Sequence, residues 1–534
     1  MPRATAARIL LLAVAGGILA DIVVPGNAAG LNAPLLVAAL LVAALLVAGR
    51  DGLRRMDPAD AWLAPAALAL AAMAAVRADP WLVTADLLLA AALAAGSIAC
   101  LGGGRVTRGL VPQVLALTAG VIAAALAGAA EVLAGLRRAP VAAWDAGAGP
   151  ATSGGGIRDR LGRRLRRAAP VLRGLVIAVP LVVVFAALFA SADAVFDRLA
   201  RQALDWRLDL DLAGLADRSL VVGLVAWLAA GLLALAGARL PALAGARWPA
   251  HAMPGGGPDR GRSLGAARAA VMARESRLGT VEAATVLVVL DALFAVFVVL
   301  QLAYLFGGRD TPAAVGLTYA EYARRGFFEL VAVAVLAGSL VVALDLAVGR
   351  RSVGQLAAAL GLLGLTAVVL ASALLRLRLY QDAYGWTELR FVVLVAIGWL
   401  AAAVVVTSVL LATRRTRWSL HVLGIMVLAT VAGMNVVGPQ AFVADRNLER
   451  ALDPSLVPPG GRTGLDTPYL SSLGDEAVPA VARAVDRLPD PADRVWLERF
   501  LDGRAAELRE NPTLLGWPAW NLARERARAA LADR

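Results

Sequence analysis

Uninterrupted apolar runs of about twenty residues recur along this chain, and they limit its fold more than any other feature. One of them is VLVVLDALFAVFVVLQLAYLFGG, residues 286–308. A helix rises about 1.5 Å per residue, so such a run covers a hydrocarbon core about 30 Å thick. Inside lipid every backbone N–H and C=O needs a partner within the protein, which leaves helices or closed barrels. The runs are too long for barrel strands and do not alternate in period two, so helices are predicted. Hydrophobic residues make up 60% of the 534 and charged ones only 17%, against about 45–50% and about 25% in soluble domains. The expected fold is an all-α, polytopic transmembrane helical bundle of about 11–12 spans. The spans are placed near 7–24, 31–49, 59–76, 81–101, 109–136, 170–190, 219–238, 281–306, 327–348, 353–375, 389–413 and 418–437.

The net charge of +12 comes entirely from arginine, since the chain has no lysine. With the Ala, Gly and Leu bias this composition points to a GC-rich bacterial genome. The charge is not spread as a nucleic-acid surface would need. It gathers before the span at 170 (Arg158, Arg160, Arg163, Arg164, Arg166, Arg167), before the span at 281 (Arg260, Arg262, Arg268, Arg274, Arg277), and at Arg350–Arg351 and Arg414–Arg417. Clusters of this kind mark cytoplasmic loops, so no nucleic-acid partner is expected and the bilayer itself is the first partner. The pattern puts the C-terminal tail outside the cytoplasm of a bacterial cytoplasmic membrane. Two arrangements of the first five segments remain open. If all five cross, the N-terminus is external; if one does not, it is cytoplasmic with Arg3 and Arg8. The expected divisions are 1–136 (N-terminal hydrophobic spans), 137–169 (an Arg-rich cytoplasmic linker), 170–437 (the transmembrane core) and 438–534 (a small helical tail).

Chemistry-bearing motifs are scarce. Cys100 is the only cysteine, and His251 and His421 are the only histidines, so neither a disulfide nor a spaced metal-ligand set is available. GGGRVTRG (102–109) and SGGGIRDR (153–160) lack a Walker lysine and read as turns. No catalytic, cofactor or metal residue is assigned, and no cofactor is expected. Carboxylates near spans are Asp86, Glu131, Asp291, Glu329, Asp345 and Glu388. Most lie within a turn or two of a span end; Asp291 lies about 15 Å deep. It must face the bundle, either as a helix–helix hydrogen bond that fixes packing or as a proton or ion site. Gln301 follows ten residues later.

Three segments join arginines to aromatics as interface anchors do. In GLTYAEYARRGFFELVAVAVL (316–336) the residues are Tyr319, Glu321, Tyr322, Arg324 and Arg325. An expected external hairpin, RLRLYQDAYGWTELRF (376–391), supplies Tyr384, Glu388 and Arg390, and ALFASADAVFDRLARQALDW (187–206) supplies Asp193 and Asp197. These stretches, with LQLAYLFGG and the tail segments DRNLERAL and GLDTPYLSSLGDEAVPAV, resemble the bacterial membrane proteins grouped as domain of unknown function 4173, related to the 4153 group. The resemblance covers roughly 170–485. It implies an integral membrane protein without an established activity, and no site residue is carried over from it.

Three functions stay open. The leading one is a non-enzymatic envelope scaffold or accessory protein whose external surfaces bind an envelope partner. A proton- or ion-coupled transporter would use Asp291 as its coupling carboxylate. A membrane enzyme on a lipid-linked substrate would want an acidic base on a long first loop, whereas loop 25–30 is short and has only Asp21 beside it.

Overall fold

The computed structural model describes residues 3–107, 161–203, 279–305, 327–348, 351–458 and 461–532. Among these residues there is no strand. The helices are α1 Arg3–Val23, α2 Asn32–Arg55, α3 Leu63–Met73, α4 Pro80–Leu101, α5 Leu161–Ala192, α6 Ala194–Ala203, α7 Thr280–Leu305, α8 Phe327–Ala347, α9 Val353–Tyr384, α10 Glu388–Ala412 and α11 Ser419–Val437. The tail adds α12 Pro439–Leu452, α13 Thr467–Ser472, α14 Val478–Ala484, α15 Pro491–Glu510, α16 Pro512–Leu515 and α17 Leu522–Ala532. Eight helical segments among the described residues are long and apolar enough to cross a membrane. The chain is an all-α, multi-pass membrane protein. The spans expected at 109–136 and 219–238 lie outside the described residues; the other ten fall on helices.

A repeated local signal starts three of these helices, α4, α15 and α16, and two single 3-10 turns, Pro58–Asp60 and Pro454–Leu456. Asp57-Pro58, Asp79-Pro80, Asp453-Pro454, Asp490-Pro491 and Asn511-Pro512 each put an Asx side chain on the amide two residues later, at 2.8–3.0 Å. Proline has no N–H to satisfy in the first turn and its φ is already helical, while the Asx oxygen takes the next orphan donor. The span read as 31–49 ends where α2 breaks, at Gly49. The span read as 59–76 contains only an eleven-residue α-helix, flanked by turns.

The chain forms two compact units. The terminal unit joins α1–α4, residues 381–395 and everything from Leu420 onward. Leu70, Ala71 and Ala90 pack with Val37, Leu428 and Val431, which brings α2, α3, α4 and α11 together. The tail has its own core, in which Val443, Leu448, Leu470, Val478, Val481, Leu497 and Leu501 are almost fully buried. Between span and tail stands Gly438 at φ 70°, where a Cβ would sit 2.5 Å from the Arg77 guanidinium. Only glycine adopts that turn cheaply and leaves room for the arginine.

Contacts in this unit also order its loops. Ala28 N–H donates to the Thr513 carbonyl at 3.0 Å, and Leu522 N–H donates to the Ala75 carbonyl at 2.8 Å. Loops 24–31 and 74–79 therefore share the tail's side, and four successive helices alternate away from it. Arg3, Arg50, Arg54, Arg55 and Arg105 accordingly stand at the ends of α1, α2 and α4 that face away from the tail.

The central unit holds α5–α8 with most of α9 and α10. Phe185, Phe189, Phe294 and Phe297 are buried between α5 and α7. Phe189 stacks on Phe297 with centroids 3.9 Å apart, and Phe294 meets Phe185 and Phe189 edge-on. The pairings advance together along both helices, so α5 and α7 run parallel. Gly174 sits so close to α7 that a Cβ would lie 2.9 Å from the Glu282 carbonyl, the close approach that small residues permit.

Candidate functional site

One helical turn beyond the stacked phenylalanines, the α5–α7 seam changes from apolar to polar. Asp193 follows Phe189 by four residues, and Gln301 follows Phe297 by four, so both reach the same face. Asp193 sits at the break between α5 and α6 and its Oδ1 accepts from the Phe196 amide at 3.2 Å, capping α6. Its Oδ2 accepts from Arg376 Nη2 of α9 at 3.0 Å and from Gln301 Nε2 at 3.3 Å. Gln301 Oε1 in turn accepts from the Ser372 hydroxyl, and Arg376 Nη1 donates to the Ala192 carbonyl at 3.4 Å. Asp193, Gln301, Ser372 and Arg376 are all buried. A buried charge pair is tolerable when its remaining donors and acceptors are also used, and this one meets that condition.

Asp291 lies ten residues before Gln301 on α7 and faces Gly361 of α9, where a Cβ would stand 3.4 Å from its Oδ2. Its Oδ1 is buried and has no hydrogen-bond partner among the described residues. The sequence expectation of a helix–helix hydrogen bond is therefore not met at that oxygen. The carboxyl occupies a gap kept open by glycine.

In the terminal unit the polar groups concentrate where loops meet the tail. Glu476 binds Arg77 through Oε2 at 3.1 Å and accepts the Ala78 amide on Oε1 at 2.9 Å. Arg77 Nη2 also donates to the Asn435 carbonyl, and Asn435 Nδ2 donates to Asp86 Oδ1 at 2.8 Å. Asp86 is fully buried. Asn521 Nδ2 bridges the carbonyls of Ala74 and Arg77 at 2.8 and 2.7 Å. Arg524 donates to the Ala519 carbonyl at 2.6 Å and to the Ala29 carbonyl at 3.1 Å, with Asp475 beside it at 3.7 Å. Burial holds Asp79, the cap of α4, above the ordinary carboxylate range, against two amide bonds and Arg77.

The third joint clamps the turn between α9 and α10. Asn447 accepts the Trp386 amide and donates to the Trp386 carbonyl, both at 2.8 Å, as a neighbouring strand would. Arg450 donates to the Asp382 carbonyl at 2.6 Å, and Arg390 to the carbonyls of Gly385 and Tyr384 at 2.6 and 3.2 Å. Two guanidiniums thus serve the orphan carbonyls at the end of α9. The Tyr469 hydroxyl accepts the Glu388 amide at 2.7 Å, and burial pushes its phenol up to about 12.

Of the residues singled out in the sequence, Tyr319, Glu321, Tyr322, Arg324 and Arg325 lie outside the described residues. Gln301 joins the Asp193 cluster; Tyr384, Glu388 and Arg390 meet at the clamped turn; Asp291 stands apart from both. The expected hairpin at 376–391 is shorter than read, because α9 continues to Tyr384 and buries Arg376 within the helix. Asp86, six residues into α4, reads from the sequence as a span-end carboxylate, yet it is fully buried. A signal existed in the pair Asp86 and Asn435, each near a span end on the tail side, but nothing in the sequence pairs α4 with α11. Among the described residues no group of His, Cys, Asp and Glu is arranged to hold a metal ion.

The chain matches the family model described as Domain of unknown function (DUF4153) over residues 64–484. No curated protein and no solved structure matches it. The match begins well before the motif-bearing region at 170 and takes in α3, α4 and the tail through α14. Most of the chain is thereby accounted for, and the protein belongs to the DUF4153 family.

Proposed function

We propose that this protein is a non-enzymatic scaffold or accessory protein of a bacterial cytoplasmic membrane, which holds its tail on the outer face for an envelope protein partner. The narrower 4173 grouping rests on the motifs quoted from 187 onward. The observation that carries the scaffold reading is the tail's attachment: Glu476, Asn521, Arg524, Asn447 and Arg450 bind three separate span-connecting loops. A domain needed only for solubility would not require attachment to three separate loops. On α15, Val495 and Trp496 are left exposed on the tail and form the partner face in this reading. The polar cluster at Asp193 supports it too, because its members already bond one another.

A second reading, ion- or proton-coupled transport, is favoured by one observation: the buried Oδ1 of Asp291 has no partner among the described residues. Complementation of a deletion strain under envelope stress separates the two. Under the scaffold reading, Val495→Glu with Trp496→Glu loses function at normal protein levels, while Asp291→Asn complements fully. A stable, correctly inserted Asp291→Asn protein that fails to complement moves transport to first place.

A further inference from the structure

The tail carries exposed aromatic residues that its own core leaves unused. Leu515, at the end of α16, is 56% exposed, and Trp517 and Trp520, in the connection to α17, are 62% and 42%. Their place in the terminal unit is fixed by backbone contacts. The Thr513 carbonyl accepts from Ala28, Asn27 Oδ1 lies where a Cβ on Gly516 would be (2.6 Å), and Gly30 abuts the backbone of Ala519 and Trp520. Leu522 and Asn521 are bonded to loop 74–79. Segment 513–522 therefore lies across two loops, each joining one membrane-directed helix to the next. These loops stand where the two membrane-length helices of this region start, α2 at Asn32 and α4 at Pro80.

Trp81 stands at the same level, 80% exposed, on the first turn of α4. The 22 residues of α4 span about 33 Å at helical rise, near the thickness of the apolar core. At the opposite level stand Trp62, half-exposed, and the arginines Arg50, Arg54, Arg55 and Arg105. Tryptophan gathers at membrane–water boundaries because its ring is apolar and its N–H is wet.

We infer that segment 512–520 is an interfacial anchor: Leu515, Trp517 and Trp520 sit in the headgroup region of the bilayer that α2 and α4 cross, level with Trp81. The occupant of this surface is lipid, not a protein partner. The tail is then held twice, by its hydrogen bonds to the loops and by this edge, and Trp496 remains in water. This inference does not depend on the scaffold reading, because the anchor serves a transporter equally well.

The test uses the full chain in phosphatidylcholine–phosphatidylglycerol vesicles. In a Cys100→Ala background, Trp517→Cys and separately Trp496→Cys carry a nitroxide label, and collision with oxygen is compared with collision with a water-soluble nickel chelate. Position 517 is expected to favour oxygen and position 496 the chelate. A chelate-accessible 517, or a 517 shielded from both reagents as a protein contact would be, overturns the proposal. If Trp517→Cys fails to accumulate, Leu515→Cys gives the same readout. Independently, vesicles with brominated acyl chains should quench the wild-type emission more than that of Trp517→Phe with Trp520→Phe. Equal quenching contradicts the anchor.

Discussion

In the central unit Asp193, Arg376, Gln301 and Ser372 bond side chain to side chain between three helices. In the terminal unit Asn521, Arg524, Asn447 and Arg450 reach from the tail to backbone carbonyls of span-connecting loops. The environments explain the contrast. Within helices most of the backbone is already satisfied, so the polar side chains serve one another, and reach backbone only at the break between α5 and α6, at the Ala192 carbonyl and the Phe196 amide. Loops and helix ends carry orphan carbonyls, and where a second domain covers them it must bring donors. The first arrangement depends on charge; the second depends on the position of a donor.

The largest effect should come from unbalancing the charge. Arg376→Met leaves Asp193 buried without its cation, and the cost is expected at about 3–5 kcal/mol. It should appear as a large fall in the melting temperature of the purified protein. Asp193→Asn combined with Arg376→Met should recover much of that loss, since no unpaired charge remains. No recovery would mean that the cluster acts through geometry, as the tail joints do.

Removing a donor at the tail joint should cost less. Asn521→Ala strips the buried Ala74 carbonyl and the part-buried Arg77 carbonyl of a shared partner, worth about 1–3 kcal/mol. Hydrogen exchange should then quicken at the start of α17 and in loop 74–79 while the central unit is unaffected. Uniform quickening over both units would erase the distinction between the joints.

The smallest effect is expected at Tyr469. Tyr469→Phe removes one acceptor from the Glu388 amide, about 0.5–1.5 kcal/mol. Its sign with pH follows from the raised phenol. Folding holds the proton more tightly than the unfolded chain does, so the contribution is complete below the ordinary phenol value of 10.0 and is lost as pH rises through about 12. The stability difference between wild type and Tyr469→Phe should shrink across that alkaline range. A difference independent of pH would remove the hydroxyl from the joint.

How much of this the sequence carries depends on the range of the interaction. Span positions follow from runs of apolar residues, and α7, α8 and α10 lie within a residue of their expected ends. The Asx-Pro starts are equally local. What pairs with what is not local: Asp193 and Arg376 are separated by 183 residues, and Asn521 and Ala74 by 447. Arg376 looked like a hairpin residue because its neighbours Arg378, Tyr380 and Asp382 are polar, and only the continuation of α9 shows that it is inside. Trp517 and Trp520 carry no local signal of their placement, and the tail core forms without them. The motifs that carried the family resemblance did point to the joints, since Gln301, Trp386, Asn447, Tyr469 and Glu476 all fall within them.

The central claim is that the two ends of the chain form one unit, the tail seated on the loops of the first four helices. An oxidative cross-link measures this directly. Ala28 and Thr513 share a backbone hydrogen bond of 3.0 Å, so cysteines placed there fall within the Cα separation of about 4.4–6.8 Å that a disulfide spans. In a Cys100→Ala background, with a protease site placed in the 239–280 segment, Ala28→Cys with Thr513→Cys should keep the two fragments joined after mild oxidation and cleavage. They should separate again on reduction. Fragments that come apart under oxidising conditions, although each single cysteine is labelled normally, would contradict the account.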